Sequence, residues 1–394
     1  MGMMYFQEPS LLSWERHMEE RVGTNNLRTL FGVEAIPSDS QIRAVLDAVE
    51  PSGIAPVFTE YFRRLQESRI LEEFRVLDGR YLVALDASGY FGSEKVQCSG
   101  CLRKKRVDGR TQFHHQILQM TIVKPGKAEV LPLMPEEIRN EDGSEKQDCE
   151  INAAKRALSR LRREHPHLPI VLGGDALYSK HSMIEAANGL GMSFLFVAKE
   201  SDHRHLYEWI AEQRHMGEIQ GIEEKDAKGR LHRYQIGRDL PIRAEANAAV
   251  VNWIDYEIHD RGKVVYHNSW VTDLDATEKN VPELVRMGRA RWKIENETFN
   301  TLKNQGYHLE HNFGHGERHL SFVFFLLNLL AFFLHQILQL TDPLYQQARE
   351  HYRARVRLWE HLRVLVCHLL FPDWDSLLRR LLGFLVGLPD FFEQ

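Results

Sequence analysis

Cysteine is scarce, with four in 394 residues, so a disulfide framework is excluded as the basis of the fold. The formal net charge is only -5, which argues against a protein that coats nucleic acid through bulk positive charge. It leaves room for local basic patches. The first residues, MGMMYFQEPS, lack a basic start followed by an apolar run, and Phe6 stands where a myristoylation pattern wants Ser or Thr. The expected location is therefore the cytoplasm. There is no internal repeat and no low-complexity tract. What remains is an ordinary globular composition, 43% hydrophobic and 27% charged, in a chain long enough for two or three domains.

One long apolar run, SFVFFLLNLLAFFLHQILQL (321 to 340), tests that expectation. It is long enough to span a bilayer. Asn328 at its centre, His335-Gln336 near its end and the lack of a second span favour a buried core helix.

Residues 10 to 75 read as helices, with Ser38 or Asp39 as a cap before QIRAVLDAV. RYLVALDASGYF, QFHHQILQMTIV and AEVLPLMP then read as strands. After the acidic loop EEIRNEDGSEKQD comes a helix, INAAKRALSRLRREH. PIVLGGDALYS, a short helix and MSFLFVAK follow. Three strands, helix, strand, helix, strand is the order of an α/β layer around a mixed sheet. Residues 200 to 267 carry strand-like, charged pieces and read as a mostly β insertion. SWVTDL then returns to the main sheet, and one long helix covers about 280 to 304. The expected division is a helical region 1–78, a core in two parts (79–199 and 268–340) around the β-rich insertion 200–267, and a helical region 341–394.

Asp86 and Asp175 each end an apolar strand. Functional groups in open α/β sheets gather beyond the carboxyl ends of strands. Taken singly, each Asp reads more simply as a strand-end turn or helix-cap residue. Two on neighbouring strands would present oxygens together, the donors that hard divalent ions take. RWKIENETFNTLK (291 to 303) adds a third carboxylate. On a helical wheel of about 100° per residue, Leu284 and Leu302 fall within about 20° of Glu295, Phe299 at about 40° and Trp292 at about 60°. Glu297 falls about 200° away, on the opposite face. A carboxylate on the apolar face needs a cation, either Arg291 one turn earlier or a metal.

Asp86, Asp175 and Arg291-Trp292-x-x-Glu295 resemble the DDE transposases of bacterial insertion sequences. The subtype is the insertion-sequence-four-like one, whose third acidic residue lies in a tyrosine–arginine–glutamate–lysine signature. DASGYFGSEKVQCSGC, DCEINAAKR, GGDALYS, WVTDL and GYHLEHNFGHG extend the resemblance over most of the chain. It implies a ribonuclease-H-like core with a β insertion and two Mg²⁺ or Mn²⁺ ions held by Asp86, Asp175 and Glu295. It also implies cleavage at transposon ends, strand transfer of 3′-ends into target DNA, and a homodimer that pairs two ends. Two positions depart from the signature: Gly288 stands where its Tyr belongs, and Leu302 where its Lys belongs, with Lys303 one residue late. A related nuclease that cuts without joining is one alternative. A catalytically inactive DNA-binding descendant is another, and the presence of all three carboxylates argues against it.

Arg291, Lys303 and the basic run Arg103, Lys104, Lys105 and Arg106, in the expected turn after the Asp86 strand, are candidate DNA contacts. Lys155, Arg156, Arg160, Arg162 and Arg163 read equally as DNA contacts or as a solvated helix face. Trp270 is a candidate to stack an unpaired base, with a core Trp as the simpler reading. Cys98-x-x-Cys101 with His114 is half a zinc pattern; without a second CxxC, reduced structural thiols are favoured. His308, His311, His315 and His319 crowd one loop, where packing or DNA contact is favoured over metal.

Overall fold

The apolar run Tyr81–Leu85 becomes the centre of a sheet because it is buried on both faces, the environment of a parallel strand covered by helices. A computed structural model describes residues 1–140, 148–311 and 313–383. Part of the acidic loop (141–147) and the end of the tail (384–394) lie outside the described residues. The principal strands are β1 (Arg80–Ser93), β2 (Leu102–Lys105), β3 (Thr111–Val123), β4 (Ile170–Gly174), β5 (Ser193–Val197), β6 (Gln220–Lys225), β7 (Leu231–Pro241), β8 (Val250–Asp260) and β9 (Lys263–Thr272). Their order across one mixed sheet is β2-β3-β1-β4-β5-β9-β8-β7-β6. β1–β4 and β4–β5 are parallel, and the remaining neighbours in this order are antiparallel. Leu131–Pro132 and Glu136–Ile138 add short antiparallel pairings to β3, so the start of the expected acidic loop is strand.

Four helices position the site and the segments that support it: α1 (Asp39–Ala48), α2 (Glu150–Glu164), α3 (Val281–Ala290) and α4 (Leu320–Thr341). Ser38 caps α1 in a reciprocal capping box with Gln41. α2 makes the crossover before β4 and buries Ala153, Ala154, Ala157, Leu158 and Leu161, one face of a helix.

Residues 200–267 differ from expectation in two ways. Arg204–Met216 is a helix, hidden in the sequence because it buries only Leu206 and Ile210. The β strands are no separate layer: β9 pairs with β5 through Trp270↔Val197, so the insertion extends the core sheet. The pieces GKVVYHN and SWVTDL share this one strand, since nothing between them breaks the backbone.

The apolar run at 321–340 is α4, and 78% of its most apolar window is buried within the protein. Its polar residues have partners. Asn328 Nδ2 donates to the Tyr307 carbonyl at 2.7 Å, and His335 Nδ1 pairs with the Tyr307 hydroxyl at 2.7 Å. α1 reaches the start of α4 through Asp47, whose carboxylate accepts from the backbone amides of Glu317, Arg318, His319 and Leu320 at 3.0–3.1 Å. Those bonds hold its carboxyl below the usual range against a desolvation penalty that acts the other way. Gly316 (φ +68°) lies against Asp47, where a Cβ would collide with the carboxylate. The terminal regions also interlock: Trp374 stacks on Phe6, and the Asn26 amide donates to the carbonyls of Val366 and Leu369.

Asn328→Leu should destabilise the protein by about 1–3 kcal/mol, because the Tyr307 carbonyl loses its donor inside the core. A lowered urea midpoint at unchanged slope would show this; an unchanged midpoint would refute the tie.

Candidate active site

Register brings the two aspartates together. Ala84 pairs with Gly173 across the parallel β1–β4 ladder, and two residues further along each chain stand Asp86 and Asp175. Gly174 gives the turn its room: a Cβ there would sit 2.7 Å from the Tyr178 ring. Asp175 Oδ1 accepts from the Leu177 amide at 2.8 Å, which fixes the turn, and Asp86 Oδ1 accepts from the Ala87 amide at 3.0 Å.

Glu295 comes from the third element, which is not the single α-helix expected over 280–304. α3 ends at Ala290, Ile294–Phe299 forms a π turn, and Asn300–Asn304 resumes as α-helix. The Asn300 amide reaches back five residues to the Glu295 carbonyl. Ile294, Thr298, Phe299 and Leu302 are buried, while the Glu295 side chain is 34% exposed. Glu295 therefore stands at the margin of the apolar stripe, close enough to Asp86 for its charge to act on that carboxyl. Glu297 lines a separate cavity with Glu73, Lys127, Gln336 and Arg355. The Arg291 guanidinium, 8% exposed, donates to Glu295 Oε1 at 2.7 Å.

A fourth carboxylate, missed in the sequence, joins them. Glu150, at the first turn of α2, accepts a short hydrogen bond from the Tyr178 hydroxyl. It lay inside DCEINAAKR, but no spacing rule links a helix start to two strand ends. The electrostatics register the crowding. Burial pushes the Asp86 carboxyl up to about 7; the Glu295 and Glu150 charges push the same way, and Arg291 opposes them. Burial also raises Glu150; the Tyr178 hydrogen bond opposes this and the Asp175 charge adds to it. These carboxylates crowd a partly buried site in which Arg291 offsets the charge of Glu295 and Asp86. The donors are oxygen only, which suits a hard divalent ion and not a soft one. The oxygens of Asp86, Asp175 and Glu295 do not all lie within 4.8 Å of one another, so the set is open.

The positively charged candidates separate. Lys303 and Lys104 line one groove with Gly89, Gly92, Gln112 and His114, just beyond Asp86 on β1, and Lys303 pairs with Glu310 at 3.1 Å. Arg103, Lys104 and Lys105 lie on exposed strand β2, not in a turn; the turn follows them, and Arg106 there pairs with Glu94 at 2.9 Å. On α2, Arg156 and Arg160 pair with Glu136, and Arg162 donates to the Leu190, Leu168 and Gly191 carbonyls. Those three are engaged within the fold.

Trp270 is 1% exposed and presents no face to a base. Its indole packs on Gly288, where a Cβ would lie 2.5 Å from Nε1. The tryptophan fills the space a side chain at 288 would need. Trp292, 50% exposed beside Arg291, is the aromatic presented to solvent here.

Residues 143–334 match the model of a transposase DDE domain. The match supports a DDE transposase. It spans Glu150, Asp175 and Glu295 and begins after Asp86, whose place in the site rests on the β1–β4 register. No curated protein matches the chain.

Asp86→Asn should raise the melting temperature in metal-free buffer above pH 7 by about 1–2 °C. The sign follows from the raised carboxyl: the folded state binds the proton more tightly, so wild-type stability falls as pH rises from 3.8 to 7. The variant's advantage should shrink as pH drops through that window. A destabilised Asn variant at pH 8 would refute the crowding.

Proposed function

We propose that this chain is an insertion-sequence-four-like DDE transposase that cleaves at transposon ends and transfers the 3′-ends into target DNA. The observation that carries the reading is the matched register of Asp86 and Asp175 on parallel neighbours, with the Glu295 charge acting on Asp86. The strand order β3-β1-β4-β5, antiparallel then parallel, supports a ribonuclease-H-like core.

Asp86, Asp175 and Glu295 would hold the divalent ions, two Mg²⁺ or Mn²⁺. When bound, such ions supply the charge that activates a water or a 3′-hydroxyl and stabilises the leaving oxygen. Arg291 holds the Glu295 carboxylate in place toward Asp86. Tyr178 holds Glu150 as a brace between α2 and the turn after β4. Lys303 is the signature lysine: a turn closed at i→i+5 takes up one residue more than an α turn, so the position eight after Glu295 serves where seven would in a regular helix. Lys303 and Lys104 contact phosphates along their shared groove, with Arg103, Lys105 and Arg106 extending the contact along the hairpin. The regions 1–78, 79–199, 200–267, 268–340 and 341–394 act as end-binding region, first core part, insertion, second core part and C-terminal support. The active form is a cytoplasmic, nucleoid-associated homodimer on two ends.

The Asp86→Ala, Asp175→Ala double variant should bind terminal-repeat DNA as the wild type does and lose metal-dependent cleavage. Full cleavage by that variant would sink the assignment. Supplying pre-cut ends separates strand transfer from simple hydrolysis: hydrolysis without joined product would identify a nuclease. Lys303→Ala should weaken end binding and lower the salt slope by about 1. An unchanged slope would remove Lys303 from the phosphate contacts.

A further inference from the structure

Away from the carboxylates, four side chains from three distant parts of the chain converge on one point. Cys98 and Cys101 follow β1, His115 lies on β3, and His315 precedes α4. Their ligating atoms all lie within 4.8 Å of one another. The sulfurs are 3.8 Å apart, and His115 Nε2 lies 3.6 Å from Cys98 Sγ and 3.4 Å from Cys101 Sγ. His315 Nε2 lies 3.6 Å from Cys101 Sγ and 3.2 Å from His115 Nε2. A zinc tetrahedron with Zn–S of about 2.3 Å and Zn–N of about 2.0–2.1 Å has edges of about 3.8 Å (S–S), about 3.5 Å (S–N) and about 3.3 Å (N–N). The observed edges follow that order and those lengths.

The surroundings prepare the ligands. His315 Nδ1 donates to the Gly316 carbonyl at 2.8 Å, so its Nε2 turns a lone pair inward. His115 Nδ1 faces the Glu137 carboxylate at 3.6 Å, and Glu137 accepts from the Tyr90 hydroxyl at 2.8 Å. The Cys98 amide donates to Cys101 Sγ at 3.4 Å, a bond that favours a thiolate. Both cysteines are free, and Cys101 and His115 are buried. Four protein ligands with no open position make a closed, structural set.

We infer that Cys98, Cys101, His115 and His315 form a structural zinc site. Two thiolates neutralise the ion, and two neutral imidazoles complete the tetrahedron. The site clamps the stretch after the Glu295 helix onto β1 and β3, at the root of the Arg103–Arg106 hairpin. Cys101 adjoins Leu102, whose partner on β3 is His114. The sequence pointed to His114, but strand alternation turns its neighbour His115 to the cysteines and leaves His114 in the Lys303 groove. The fourth ligand is 214 residues from Cys101, beyond any spacing pattern.

The clamp does not depend on the transposase reading, and its test needs no DNA. The full chain, purified without chelators and free of magnesium, should hold one zinc per chain by elemental analysis. Cobalt(II) in its place should give the visible absorption of a tetrahedral thiolate site. Cys98→Ser with Cys101→Ser should abolish both, whereas Asp86→Asn should keep both. A strong zinc chelator should lower the wild-type melting temperature by several degrees. Wild-type protein that, after zinc loading and dialysis, holds no stoichiometric zinc and shows no tetrahedral cobalt spectrum would overturn the proposal. That measurement decides the matter even where the double variant fails to fold. Zinc content unchanged in a folded double variant would overturn it equally.

Discussion

The parallel pairing of β1 with β4 is the constraint on which the rest depends. It fixes Asp86 and Asp175 at the same level, at one end of the sheet. It needs two adjacent glycines, because a Cβ at Gly173 would press on Leu82 and one at Gly174 would collide with Tyr178. Tyr178 in turn reaches Glu150, so the room left by one glycine supplies a fourth carboxylate. The pairing thus sets a local charge density that the protein only partly relieves. Burial, with the Glu295 and Glu150 charges adding to it, pushes the Asp86 carboxyl up to about 7. A site that favours a bound proton at rest is a site with free energy to gain from a divalent cation.

The helical side of the site meets this constraint by irregularity. A straight α-helix through 281–304 would set Glu295 and the last-turn lysine by one fixed rotation. The π turn uncouples them: Glu295 stays at the margin of the apolar stripe, Leu302 is buried, and Lys303 reaches the groove beyond Asp86. Isolated π turns of this kind recur at functional sites because the extra residue re-aims side chains without breaking the helix. Gly288 belongs to the same adjustment, since Trp270 occupies the space above it and seats α3 close on β9.

Much of the candidate site could be proposed from the sequence for a physical reason. Strand-end aspartates after apolar runs, and a glutamate in phase with Leu284 and Leu302, are local patterns, and local patterns survive in one dimension. Long-range partners do not. Arg156, Arg160 and Arg162 look identical to a DNA-binding face until Glu136 and the Leu190 carbonyl appear beside them. Trp270 could be placed only once Gly288 was seen to lie beneath it. The helix Arg204–Met216 was hidden by a two-residue apolar stripe. Glu150 and His315 lie far in sequence from the groups they join, and no periodicity encodes that meeting.

The segment between the Glu295 helix and α4 shows why such meetings matter. Among its described residues no regular element is long enough to fix it, and Gly306, Gly314 and Gly316 give it positive-φ turns. Its described residues are held by contacts from outside, the Arg43 guanidinium on the Phe313 carbonyl among them. Tyr307 is held by Asn328 and His335 on α4. The amides of residues 317–320 are capped by Asp47 of α1. His315, between them, lies against Cys101 and His115 at the edge of β1 and β3. The polar residues that interrupt the apolar run are therefore among the contacts that place the chain after Glu295. A purely apolar α4 would pack as well against the core and lose that hold, because dispersion contacts do not select one register of a glycine-rich loop and hydrogen bonds do.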